Sequence, residues 1–159
     1  MEANPRPVVM IVDDEEMVLA SVRTLLLLDG EYEVRSFTNP LEAVKCLLEE
    51  TVDVMVSDYL MPEMTGIQLL AHAKQLQPEA TRVLLTGHAD KASAIQAINE
   101  VSLFQYLEKP WDNAQLLLVI QTAVERARLF RDLRMKITEL DAAHSTLKGV
   151  QTRLLKAFL

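Results

Sequence analysis

The 159-residue sequence predicts a doubly wound α/β fold built on a five-stranded parallel sheet. Three observations carry this prediction. Short β-branched or apolar runs alternate with longer segments of helical periodicity, five times over. The runs are apolar almost throughout, as in strands buried on both faces, rather than alternating between core and solvent. Four of them end on chemically capable residues: Asp13 and Asp14 after the first, then Asp58, Thr86 and Lys109. Parallel strands share one carboxyl edge, where open α/β sheets place their ligand sites, so these side chains are expected to converge.

Val8 to Val12 is the first strand, closed by Asp13-Asp14-Glu15-Glu16. Four acids in a row are costly there unless a cation or solvent neutralises them. A helix follows with Met17, Val18, Ser21, Val22, Leu25 and Leu28 on its apolar face, and Asp29-Gly30 ends it. Tyr32 to Phe37 is the second strand. Thr38-Asn39-Pro40 then starts a helix, with a cap candidate and proline at N1, that runs to about Glu50. Val52, Val54 and Val56 mark the third strand, which ends at Asp58. A helix from about Thr65 to Gln75 is broken by Gln77-Pro78. Arg82 to Thr86 is the fourth strand, Asp90 to Asn99 a helix, and Leu103 to Glu108 the fifth strand. Lys109-Pro110 stops that strand and restricts the lysine backbone.

Asp112 caps the next helix, with Gln115 placed for a capping box, and no proline follows as far as Leu159. Leu133, Leu140, Leu147 and Leu154 recur every seven residues. Phe130, Ile137, His144 and Gln151 stand three positions before them, and Phe158 continues the series. This is an a/d heptad with leucine at every d position, and it predicts a coiled-coil stalk about 70 Å long. Lys136 at g and Asp141 at the following e attract each other across a parallel dimer. Gly149 weakens the helix, while His144 and Gln151 either weaken the seam or set its register; His144 is also a candidate pH-sensitive core residue. The plainer alternative is an amphipathic helix folded back on the body. The expected organisation is an α/β body over residues 6–126 and a homodimeric stalk over 127–159.

Composition narrows the function. Half the residues are hydrophobic, which excludes a disordered tail, and the longest apolar runs are far too short to span a bilayer. The first residues show no signal-peptide pattern, so a soluble, cytoplasmic protein is expected. The single Cys46 excludes an internal disulfide, and its apolar neighbours suggest an inert, buried thiol. Up to Trp111 there are 8 basic against 18 acidic residues, a balance of −10; from Asp112 onward there are 8 against 5, or +3. An acidic body repels phosphate backbones, so direct nucleic-acid binding is not expected. Arg126, Arg128, Arg131 and Arg134 read as a solvated helix face.

Taken singly, an acid at a strand end is a turn residue, Thr86 a helix cap and Lys109 a surface charge. Taken together they form a reactive set. Carboxylates sharing a pocket raise one another's pKa values, and a hard divalent cation with oxygen ligands, Mg²⁺, removes that penalty. With a hydroxyl and an ammonium added, the site suits a phosphoryl group, and Asp58 near the centre can attack it to form an acyl phosphate.

These residues resemble the receiver domains of two-component response regulators. Ile11-Val12-Asp13-Asp14-Glu15, Ser57-Asp58-Tyr59-Leu60-Met61-Pro62-Glu63-Met64-Thr65-Gly66, Leu85-Thr86-Gly87 and Glu108-Lys109-Pro110 match that family's signatures in order, over about residues 6 to 126. The resemblance implies a flavodoxin-like fold and a phosphoacceptor at Asp58, served by a sensor histidine kinase or phosphotransfer protein. It implies Mg²⁺ held by Asp14, Asp58 and the Leu60 backbone carbonyl, with Asp13 acting through water. Thr86 and Lys109 would hold the phosphoryl oxygens, and Tyr106 matches the switch aromatic that turns inward as Thr86 moves. Two positions depart from chemotaxis-type members. Leu60 is apolar where a polar side chain often stands, which implies slow autodephosphorylation, and His88 implies a pH-dependent rate.

The stretches from Leu85 to Asp90 and from Glu108 to Asp112 are most similar to receivers joined to enzymatic outputs: cyclic-di-GMP phosphodiesterases of the HD-GYP type, diguanylate cyclases and serine phosphatases. No such output module is expected in this chain, leaving either a truncated protein or a stalk that is itself the output. The chain is therefore expected to be a switch, not an enzyme. Two alternatives stand beside it. A haloacid-dehalogenase-like phosphatase uses the same parts but needs an acid two residues after its nucleophile, where Leu60 stands, and places the nucleophile after the first strand. A degenerate receiver serving only as a dimerisation scaffold is disfavoured, because every catalytic position is filled.

Overall fold

The computed structural model describes residues 5–158. Strands β1 (Val8–Val12), β2 (Glu33–Phe37), β3 (Val54–Asp58), β4 (Thr81–Thr86) and β5 (Gln105–Glu108) alternate with five helices. These are α1 (Glu16–Asp29), α2 (Pro40–Glu49), α3 (Gly66–Leu76), α4 (Lys91–Glu100) and α5 (Asn113–Phe158), with a 3-10 turn over His88–Asp90 before α4. All pairings are parallel, in the order β2-β1-β3-β4-β5. The doubly wound five-stranded sheet is thus present as predicted.

Successive residues of the central strands feed opposite faces. Ile11, Val56 and Leu85 pack with Leu19, Val22 and Leu26 of α1 and with Leu116, Ile120 and Ala123 of α5. Met10, Met55 and Leu84 pack with Ala43 and Leu47 of α2, Leu69, Leu70 and Ala73 of α3, and Ala94 of α4. Every residue of β3 and β4 is buried, which is why these strands read as continuous apolar runs. β2 lies at the sheet's edge and is only half-buried.

Local chemistry sets the element ends, with some differences from the sequence reading. The α1 face buries Leu19, Val22 and Leu26, whereas Met17 and Leu28, placed on that face from periodicity, are 84% and 81% exposed. An uninterrupted leucine run cannot say which of its members turns inward. β3 begins at Val54; just before it the Val52 N–H donates to Gln77 Oε1, and Asp53 Oδ2 accepts from the Val8 N–H. Asn39 caps α2 with Pro40 at N1, as expected. The capping box occurs at α3, between Thr65 and Gln68. At α5, Asp112 Oδ1 accepts from Ala114, one residue short of the N3 amide that an Asp112–Gln115 box requires.

The chain divides into two compact units, one ending at Ala127 and one beginning at Arg128. In the first, α5 buries Leu116, Ile120, Ala123 and Ala127. Two polar contacts join it to the sheet side: Thr81 Oγ1 donates to the Ala123 carbonyl at 2.8 Å, and the Arg126 guanidinium lies 5.2 Å from the Phe104 ring centre. Arg126 therefore has an aromatic partner rather than only solvent. In the second unit, Leu133, Ile137, Leu140, Leu147 and Leu154 are each more than half exposed. Cys46 is half-buried, and burial pushes its thiol pKa up, as expected of an inert cysteine. Among the described residues no helix is long and apolar enough to cross a membrane.

Candidate functional site

The sheet order reverses between β1 and β3, which opens a crevice at their carboxyl ends. Val12 pairs with Ser57, so Asp13, one residue on, stands beside Asp58, the last residue of β3. On the other side Asp58 pairs with Leu85, and Thr86 pairs with Glu108, which brings Thr86 and then Lys109 to the same edge. The predicted convergence is observed. One oxygen from each of Asp13, Asp14 and Asp58 lies within 4.8 Å of the others. Asp13 and Asp58 are buried, while Asp14 is exposed at the mouth.

Lys109 Nζ bridges two of the acids, 3.0 Å from Asp13 Oδ2 and 3.2 Å from Asp58 Oδ1. The Asp13–Lys109 pair was not foreseen; its signal was opposite charge at strand ends that this strand order draws together. Asp58 Oδ1 also accepts the Tyr59 N–H at 2.9 Å, and Asp13 Oδ1 accepts the Glu15 N–H at 2.9 Å. Asp58 Oδ1 thus faces both the Tyr59 amide and the Lys109 ammonium. Gly66 is required by close approach, since a Cβ there would overlap the Asp58 carbonyl. The Pro-x-x-x-Gly spacing after Asp58 was the available hint of it.

Burial, and then the neighbouring Asp13, push the Asp58 pKa up to about 6, against the pull of Lys109 and the Tyr59 amide. Burial alone would lower the Lys109 pKa, but Asp13 and Asp58 outweigh it and hold it above its ordinary value. The Thr86 hydroxyl is fully buried and has no partner among the described residues. A buried orphan hydroxyl is costly in isolation and points to an oxygen-rich ligand. Three acids with one lysine leave net negative charge in a buried crevice, so the donor set fits a hard divalent cation such as Mg²⁺.

Tyr106 is half-buried on β5 and lines an open cavity of about 570 Å³ with Lys109, Pro110 and Gln115. The peptide bond between Lys109 and Pro110 is cis. Leu60 is 57% exposed beside Asp58. The His88 side chain, singled out from the sequence, lies outside the described residues.

These features define a doubly wound α/β domain with an acidic, lysine-bridged crevice at its topological switch point. Comparison with known proteins agrees. The family model for the response regulator receiver domain matches residues 9–121. The hydrogenase transcriptional regulatory protein HoxA of Cupriavidus necator is 31% identical over 140 residues, covering 88% of this chain and 29% of HoxA. The DNA-binding transcriptional regulator NtrC of Escherichia coli K12 is 32% identical over 122 residues, covering 75% of this chain and 25% of NtrC. Among solved structures, the signal receiver domain of an HD domain-containing protein from Pseudomonas fluorescens Pf-5 is 34% identical. It superposes with a TM-score of 0.77 over 83% of this chain and 96% of that one. The chain belongs to the response regulator receiver family. It spans less than a third of the length of the curated relatives named here.

Proposed function

We propose that the chain is a phosphorylation switch in which Asp58 accepts a phosphoryl group from a sensor histidine kinase or phosphotransfer protein. The observation that carries this is the single crevice that holds Asp13, Asp14, Asp58 and Lys109 with the unpartnered Thr86 hydroxyl. An Asp58 carboxylate oxygen attacks phosphorus; the bond from phosphorus to the donor imidazole breaks, and the imidazole nitrogen keeps the electron pair. Asp13, Asp14, Asp58 and the Leu60 carbonyl would hold Mg²⁺, which supplies charge neutralisation for the incoming phosphoryl oxygens. Lys109 turns from the carboxylates to the phosphoryl group, and Thr86 gains the acceptor it lacks. Tyr106 then follows Thr86 and alters the surface around β5.

The chain on this reading turns over no substrate of its own and works in the cytoplasm. The exposed heptads from Phe130 onward support a homodimeric coiled coil that passes the switch to an output module outside this chain. An HD-type phosphodiesterase is one such module, a reading favoured by the likeness to the receiver of an HD domain-containing protein. A diguanylate cyclase and a serine phosphatase remain the other two.

Incubation with Mg²⁺ and acetyl phosphate, followed by intact mass, tests the phosphoacceptor. One added phosphoryl group is expected on the native chain and none on Asp58→Asn; an unmodified native chain would overturn the proposal. In the same assay Leu60→Asn is expected to shorten the acyl-phosphate lifetime several-fold, because an amide in place of the exposed leucine can hold the attacking water. An unchanged lifetime would remove that role.

A further inference from the structure

We infer that the second unit of α5 pairs with the same segment of a second copy in parallel and in register, and that His144 and Gln151 set this orientation. The inference rests on the dimer reading above and goes beyond it by assigning which way the copies run and which residues decide.

α5 is helical from Asn113 to Phe158, so the heptad stays in phase across Gly149. One stripe carries Phe130, Leu133, Ile137, Leu140, Leu147 and Leu154, exposed by between 42% and 69%. Polar residues interrupt it at only two core positions, both a positions: His144 and Gln151. In a parallel, in-register pair each layer meets its own copy. Gln151 then faces Gln151 and His144 faces His144; a glutamine amide and a neutral imidazole each carry both a donor and an acceptor, so both layers satisfy themselves. The flanking positions agree. Lys136 meets Asp141 of the second copy, Val150 meets Leu155, and no like charges face each other.

An antiparallel pair sets a layers against d layers. Of the two registers that keep most of the core, one puts Arg134 opposite Lys148 and Asp141 opposite itself. The other relieves the charges by setting Asp141 opposite Lys148, but packs Gln151 on Leu140 and His144 on Leu147. Either way, two polar side chains are buried against leucines without partners. The parallel arrangement alone satisfies charge and hydrogen bonding together.

The test uses the full chain with Cys46→Ala, so that introduced cysteines are the only thiols. Leu133→Cys and Leu154→Cys are each expected to give predominantly disulfide-linked dimers under mild oxidation, since like d positions face each other in a parallel pair. Mixtures of Ile137→Cys with Leu147→Cys or Leu154→Cys are expected to give few mixed disulfides. Preferential mixed disulfides would reveal an antiparallel pair and overturn the inference, while leaving the dimer reading intact. Sedimentation showing a monomer at all accessible concentrations would instead remove the dimer reading, and this inference with it, without touching phosphoryl capture by Asp58. Replacing both polar residues, His144→Leu with Gln151→Leu, is expected to tighten the dimer and to raise the share of mixed disulfides. Retention of wholly parallel cross-linking in that variant would overturn the orienting role of His144 and Gln151.

Discussion

The Asp58 carboxyl titrates near 6 because it is buried next to Asp13, and Lys109 does not fully compensate. In an unfolded chain an aspartate titrates near 3.9. Between about pH 4 and 6 the folded protein therefore binds more protons than the unfolded one, and its stability falls as pH rises through that window. Above it the ionised carboxylate is a standing cost. In metal-free buffer at pH 7.5, Asp58→Asn is expected to stabilise the fold by about 1–3 kcal/mol, the size implied by a rise from the ordinary value to about 6. The gain should vanish below about pH 4, where the native carboxyl is also neutral. Urea denaturation of both proteins across that range checks it, and a pH-independent difference would show that the cost is not electrostatic. Thr86 carries the parallel cost at a hydroxyl, so two residues of the crevice hold local energy that a bound ion and phosphoryl group can release.

Elements show how far the sequence reaches. The strands and their order of chemistry were legible because burial on both faces leaves continuous β-branched runs, and because Asp58, Thr86 and Lys109 sit at run ends whatever the exact boundary. The α1 face was not legible: Leu25 to Leu28 is apolar on every side, and only the packing on Ile11 and Val56 selects Leu26 over Leu28. Nor were contacts across the sheet. Thr81 opens β4 one residue before the predicted start at Arg82, and it is buried and bonds the Ala123 carbonyl of α5. That link holds the helix on the strand whose far end carries Thr86. Thr81→Val keeps the shape and removes the bond, while the Ala123 carbonyl stays within the helical ladder. The expected loss is about 1 kcal/mol, seen as a lower urea midpoint at unchanged slope. No loss would mean that the hydroxyl contributes nothing to seating α5.

At the scale of the whole molecule the two units differ in what stabilises them. Every buried residue of both core clusters lies at or before Val124, so the α/β unit has its complete core without residues 128–159. The tail carries an exposed apolar stripe, and an isolated helix of that kind is marginal in water. If its stability comes from a second copy, mass action makes it depend on concentration, whereas the α/β unit's does not. A chain ending at Ala127 is accordingly expected to unfold with a urea midpoint independent of protein concentration, within about 0.5 kcal/mol of the full chain at high dilution. The full chain should gain stability as its concentration rises a hundredfold, with the added signal in far-UV helicity. A truncated chain that loses several kcal/mol at every concentration would instead mean that the tail folds back on the body. That is the arrangement in which the leucines of the heptad find cover within one molecule rather than between two.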